Sequence, residues 1–161
     1  MGHRGIDLCI EHRFGAYSRA GRLWGHRWRG DGVRSAKGQV VIKIASEADP
    51  KDLLDCNAVA LGSYDAFSYM GGGLKEFFER TFYPTQGQIT DKPYAAFVTH
   101  GGGGKAIESV ESICQVFKLK KAADPVLIKG RPEGQAISDL KELGVKLAGV
   151  SKIYKLKGSG G

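Results

Sequence analysis

An α/β chain built on a doubly wound parallel sheet is the fold that this sequence predicts, and three observations predict it. Two apolar runs, Ala58 to Ser63 and Tyr94 to His100, are long enough for buried strands and too short for typical helices. Neither shows the alternation of a sheet with one wet face. Each run leads into a glycine-bearing turn and then a helical pattern: Leu74, Phe77 and Phe78 after the first, and Ile107, Val110, Ile113, Cys114 and Phe117 after the second. Strand and helix patterns alternate along the rest of the chain, as right-handed βαβ crossovers require. Parallel strands open their carboxyl ends on one edge of the sheet, so the two glycine-bearing turns are expected to meet there.

The elements follow in order. Gly5 to Ile10 reads as the first strand. From Glu11 to Gly32 glycine recurs every few residues and no apolar face is sustained, so a helix is expected there on topology alone, with Gly38 as its stop. Gln39 to Ala45 is a β-branched strand bounded by polar residues. A short helix follows, with Asp49 as its cap and Pro50 at its first position. After the two central units, Pro125 to Lys129 forms the fifth strand, closed by Gly130. Gly134 to Val150, with Ile137, Leu140, Leu143 and Leu147 at helical spacing, is the closing helix. Residues 1–150 make a single domain, atypical over 11–34, and residues 151–161 read as a basic flexible tail.

Composition narrows the class. At 161 residues the chain can bury one core without staples. No apolar run approaches bilayer-spanning length, and the N-terminal stretch lacks a signal-peptide pattern, so a soluble cytoplasmic protein with no membrane partner is expected. Cys9, Cys56 and Cys114 lie far apart, without metal-ligand spacing, and read as buried free thiols. No metal site is expected. The net charge of +7 is uneven: residues 1–34 carry seven arginines and no lysine against three acids, together with Trp24 and Trp28. That segment allows nucleic-acid binding, but it contains no recognised motif, and such a partner is not expected.

A doubly wound sheet can serve several cofactors, and residues decide among them. No GxGxxG follows the first strand, and no strand ends in a phosphorylatable acid of the receiver-domain kind. The stretch GSYDAFSYMGGGLKEFFER, Gly62 to Arg80, resembles the flavin-ring loop and following helix of the flavodoxin family. The likeness is greatest to short-chain flavodoxins and to the NAD(P)H:quinone oxidoreductase-like branch. YAAFVTHGGGGKAIES, Tyr94 to Ser109, resembles that family's second ring loop. The resemblance covers roughly Gln39 to Val150 and implies a flavodoxin-like sheet of order 2-1-3-4-5 with FMN at the edge where the strand order reverses.

A flavin ring needs apolar faces to stack on and backbone groups at its rim. The resemblance assigns Ser63, Tyr64, Asp65, Ala66, Phe67 and Tyr69 to one ring loop, with the aromatics as faces and Ser63 as a hydroxyl donor. It assigns Thr99, His100, Gly101, Gly102, Gly103 and Gly104 to the other, where glycines let backbone amides approach the ring. Tyr69 packing against Phe77, and His100 facing water, are the alternative readings. Lys75 and Arg80 are expected on a solvated helix face.

The family holds the ribityl phosphate in a hydroxyl-rich loop after the first strand. Here that place reads His12, Arg13, Phe14, Gly15, Ala16, Tyr17, Ser18: the glycine is kept, the key hydroxyls are gone, and His12, Arg13 and Gly15 remain as phosphate candidates by charge and shape. Codon degeneracy allows a neighbouring frame to encode Ser-Thr-Gly-Ser-Ala-His-Thr in place of residues 11–17, so a frameshift over about residues 11–30 is one explanation of the odd composition. Two functions follow. The first is an FMN-dependent redox protein, either an electron carrier or an NAD(P)H-linked quinone reductase. Its partners would be NAD(P)H and a quinone, or a redox protein, and self-association is implied for the oxidoreductase branch. The alternative is a flavodoxin-fold binding or interaction module that has lost FMN.

Overall fold

The computed structural model describes residues 6–11 and 39–158. Five long or paired strand positions lie side by side in one sheet: β1 (Ile6–Glu11), β2 (Gln39–Ile44), β3 (Ala58–Ala66), β5 (Pro93–His100) and, at the far edge, β6 (Lys120–Lys121) with β7 (Val126–Lys129). The order β2-β1-β3-β5-β6/β7 is the expected 2-1-3-4-5, and all these pairs are parallel. The strand order reverses at β1, whose last residue, Glu11, sits opposite Gly62 of β3. The fifth strand is split. Ala122 still donates to Tyr94 O (2.8 Å), but Pro125 has no N–H to continue the ladder.

Four described helices cover the two faces: α1 (Pro50–Asp55), α2 (Gly72–Thr85), α3 (Ala106–Val116) and α4 (Gln135–Gly158). One face buries Val59, Leu61, Tyr94 and Ala96 under Leu53 of α1, Leu74, Phe77 and Phe78 of α2, and Val110 and Cys114 of α3. The other buries Ala58, Ala95 and Phe97 under Leu140, Leu143 and Leu147 of α4. Alternate residues of β3 and β5 therefore feed two cores, which is why their sequences lack polar alternation. Cys56 and Cys114 are buried cysteines outside any disulfide among the described residues, as expected.

Local chemistry explains the helix boundaries. At α1 the predicted cap is present in full: Asp49 accepts from Asp52 N, and the Asp52 carboxylate accepts from Asp49 N, both at 2.9 Å. Two expectations need correction. Arg80 is not simply solvated, because its guanidinium donates to Ala45 O (2.8 Å) and Ala48 O (3.1 Å), tying α2 to the turn after β2. The closing helix does not stop at Val150 but runs to Gly158. Ser151 is buried and continues the inward stripe of Leu143, Leu147 and Ala148, a small hydroxyl standing where an apolar residue would have marked the pattern. No described helix is long and apolar enough to cross a membrane.

Candidate functional site

The two predicted turns do emerge on the same edge. In the β3–β5 register Ser63 lies opposite Val98 and Tyr64 opposite Thr99, so the segments that follow leave the sheet side by side. The segment after Ser63, expected as an exposed turn, is a small hairpin. β3 continues through Ala66, and β4 (Tyr69–Met70) folds back on it, with Asp65 opposite Met70 and Ala66 opposite Tyr69. Only Phe67 and Ser68 form the turn, and both have positive φ, 55° and 66°. That is the backbone pattern of a type I′ hairpin, normally filled by Asn and Gly. Phe67 is fully exposed at the tip and Tyr69 is exposed beside it, whereas Met70 is buried.

Hydrogen bonds hold this hairpin from inside. The buried Ser63 hydroxyl donates to Tyr64 O and accepts from Gly71 N, each at 2.9 Å, closing the hairpin at its base. Asp65 accepts from Ser68 N (2.7 Å) and from Ala106 N (3.1 Å). Met70 N donates to Ser109 Oγ (2.9 Å), and the Ser109 hydroxyl in turn donates to Ala106 O (2.7 Å). Ser63 and Asp65, candidates for ligand contact, are thus engaged within the chain as they stand. Ser109 was not singled out by sequence; its hydroxyl one position from the buried Val110, on the side of α3 nearest the hairpin, was the available signal.

The second loop differs. Thr99 Oγ1 and His100 Nδ1 are buried atoms without a hydrogen-bond partner among the described residues, at the end of β5. The His100 carbonyl accepts from Gly130 N (2.9 Å), which fixes the strand end. Its imidazole lies against Gly104, where an added Cβ would meet Cδ2 at 3.0 Å and Nε2 at 3.3 Å. Gly101, Gly102 and Gly103 are exposed with open space around them, and Gly103 and Gly104 have φ of +107° and +64°. Unpaired buried polar atoms cost free energy unless a ligand or water meets them. Backbone amides bare of side chains are free to approach a flat ring.

A doubly wound parallel sheet whose two glycine-bearing segments leave its carboxyl edge side by side is the class of structure these observations define. No protein-family model matches the chain. No curated protein matches it either. Among solved structures it is similar to a flavodoxin from the domain Archaea, with a TM-score of 0.78 and 21% identity over 91% of this chain and 99% of that one. It is also similar to the flavodiiron protein from Giardia intestinalis (TM-score 0.78, 18% identity, 96% of this chain), of which it spans 38%. A third similar structure is the flavodoxin, WrbA-like protein from Agrobacterium tumefaciens (TM-score 0.73, 11% identity, 93% of this chain and 99% of that one). The chain has the flavodoxin-like fold.

The ring-loop candidates Ser63, Tyr64, Asp65, Ala66, Phe67, Tyr69, Thr99, His100 and Gly101 to Gly104 all lie on this edge. Orphaned polar atoms, open glycines and outward aromatics fit the ring end of a flavin. His12, Arg13 and Gly15, the phosphate candidates, and the frameshift segment from residue 12 onward lie outside the described residues.

Proposed function

We propose that the chain is an FMN-binding redox protein of the flavodoxin type. The observation that carries the reading is the pair of buried atoms, Thr99 Oγ1 and His100 Nδ1, that have no hydrogen-bond partner among the described residues, beside a bare glycine loop at the switch-point edge. Bound FMN would supply one- and two-electron redox chemistry that the protein side chains lack. Tyr64, Phe67 and Tyr69 would offer aromatic faces to the ring, and the amides of Gly101 to Gly104 would meet its polar rim. Thr99 would donate its hydroxyl proton to a ring acceptor, and His100 would hold a proton at Nδ1 toward the ring or accept one there. His12, Arg13 and Gly15 would receive the phosphate.

The finer proposals are that the protein works in the cytoplasm, that its electrons pass either to a redox protein or between NAD(P)H and a quinone, and that it self-associates. The unusual stretch from His12 to Ser18 favours one rival reading, an interaction module that has lost FMN. Titration of FMN and, separately, riboflavin into the purified protein, read by flavin fluorescence, tests both. Saturable one-to-one quenching by FMN is the expected result. Riboflavin binding without tighter FMN binding would locate the defect at the phosphate end. Failure of both with folded protein would overturn the redox reading.

A further inference from the structure

Helix α3 begins without a side-chain cap from its own N-cap residue, Lys105. Ile107 N and Glu108 N donate to the nearby carbonyls Gly104 O (3.3 Å) and Lys105 O (3.0 Å), which leaves Ala106 N to find its acceptor elsewhere. The acceptor for Ala106 N comes from forty-one positions upstream, from Asp65 Oδ2 at 3.1 Å. The other oxygen of the same carboxylate, Oδ1, accepts from Ser68 N at 2.7 Å. One side chain therefore serves two structures: the start of the helix that follows Gly101 to Gly104, and a hairpin turn whose two residues hold positive φ without being glycine. Left-handed backbone at such residues persists only where surrounding contacts impose it. A carboxylate suits both ends, since charge-assisted bonds to amides are strong and a helix N-terminus favours negative charge.

We infer that Asp65 is a positioning residue that clamps the two ring loops into one body and so sets the width of the slot between them. The role rests on the proposed flavin site, but the clamp itself is a property of the chain without ligand. Ser109 adds a second strut, from Met70 N to the first turn of α3, and it acts on β4 instead of the strained turn. Asparagine in place of Asp65 would keep one acceptor oxygen and set an amide N–H against a backbone N–H at the other end, so it would release one of the two loops.

Amide hydrogen exchange on the full, flavin-free chain tests the clamp, comparing wild type with Asp65→Ala and Asp65→Asn. The expected result for Asp65→Ala is at least tenfold faster exchange at Ser68 and, together with it, at Ala106, Ile107 and Glu108, with Ala95 to Val98 of β5 unchanged. Asp65→Asn should speed one of these two groups more than the other. If it accelerates neither, or if Asp65→Ala accelerates the hairpin alone, the clamp is wrong. Should Asp65→Ala lose protection in β5 as well, the asparagine variant decides. Riboflavin titration then reads the positioning role: where wild type binds, Asp65→Ala should weaken binding at least tenfold, and unchanged affinity would overturn that role. Where wild type binds FMN but not riboflavin, FMN serves as the probe; a wild type that binds neither refutes the flavin reading and leaves the exchange result standing by itself.

Discussion

The ring of Phe97 fills the space that a side chain at Gly62 would need: a Cβ built at Gly62 would meet Phe97 Cζ at 1.8 Å and Cε2 at 2.3 Å. The two residues are Cα partners on β3 and β5, and the ring seals the face covered by Ile128, Leu140 and Leu143. Gly62 is therefore a packing requirement one residue before the site. Gly62→Ala should destabilise the chain by about 1–3 kcal/mol through overpacking, seen as a lower urea midpoint. Adding Phe97→Leu should recover part of that loss, because neighbouring sites do not add independently. Equal, additive losses would show that the ring is free to move aside.

The strained turn makes the opposite prediction. Ser68→Gly should stabilise the chain by up to about 1 kcal/mol, since glycine carries no Cβ penalty at positive φ. Phe67→Asn together with Ser68→Gly matches the preferred hairpin turn and should raise Tm further while weakening riboflavin binding, because the exposed Phe67 face is gone. A variant that gains stability and keeps full affinity would remove Phe67 from the proposed ring site.

Within the glycine loop, stability and binding should separate by position. Gly102 has open space around it and no positive φ, so Gly102→Ala should leave Tm within about 1 °C, a surface change far from core packing. It should nonetheless weaken riboflavin binding at least tenfold if the amide edge approaches the ring. Gly104→Ala faces both positive φ and the His100 imidazole, and should lower Tm as well as affinity. Calorimetry on both variants and flavin titration check the pair; an unchanged affinity in Gly102→Ala would mean that the loop is a plain turn.

Lys92 gives a pH prediction away from the site. It is almost fully buried, and its ammonium donates to Leu53 O and Leu54 O at the end of α1, with Cys56 Sγ at 3.9 Å. Burial pulls its pKa below the ordinary value of 10.5, with Cys56 and Asp55 opposing. The unfolded chain then binds the extra proton, so this group adds stability as pH rises from its folded pKa toward 10.5. Lys92→Met should cost about 1–3 kcal/mol near pH 7 by taking the ammonium donor from Leu54 O and leaving Leu53 O with only the weak Cys56 thiol donor, and the gap from wild type should widen as the solution becomes alkaline. Burial pushes Tyr94 and Cys114 upward, so both lose stability above the unfolded values of 10.0 and 9.0. They do so in both chains and cancel in the difference. A gap that stays flat or narrows with pH contradicts the assignment.

The order of the sheet, its two-faced core and the meeting of the two glycine-bearing turns were legible because they depend on repeated local patterns. Apolar runs such as Ala58 to Ser63 and stripes such as Leu140, Leu143 and Leu147 carry the same meaning wherever they stand. The Asp49 cap and Pro50 start were legible for the same reason, since the capping partner is three residues away. The end of α4 was not, because Ser151 is polar by type and buried by placement.

The amino-acid sequence by itself determined that this chain is a doubly wound α/β domain with its glycine-rich turns on one edge, because periodicity and turn composition act over a few residues. Only the tertiary structure decided what the edge side chains do. Asp65 reaches Ala106, Ser109 reaches Met70, Arg80 reaches Ala45 and Ala48, and Lys92 reaches Leu53 and Leu54, each across more than thirty positions. Such bonds leave no spacing in the sequence, since their geometry exists only once the sheet has brought distant segments together. Thr99 Oγ1 and His100 Nδ1, which have no hydrogen-bond partner among the described residues, belong to the same class: that lack shows only once the surrounding segments stand in place.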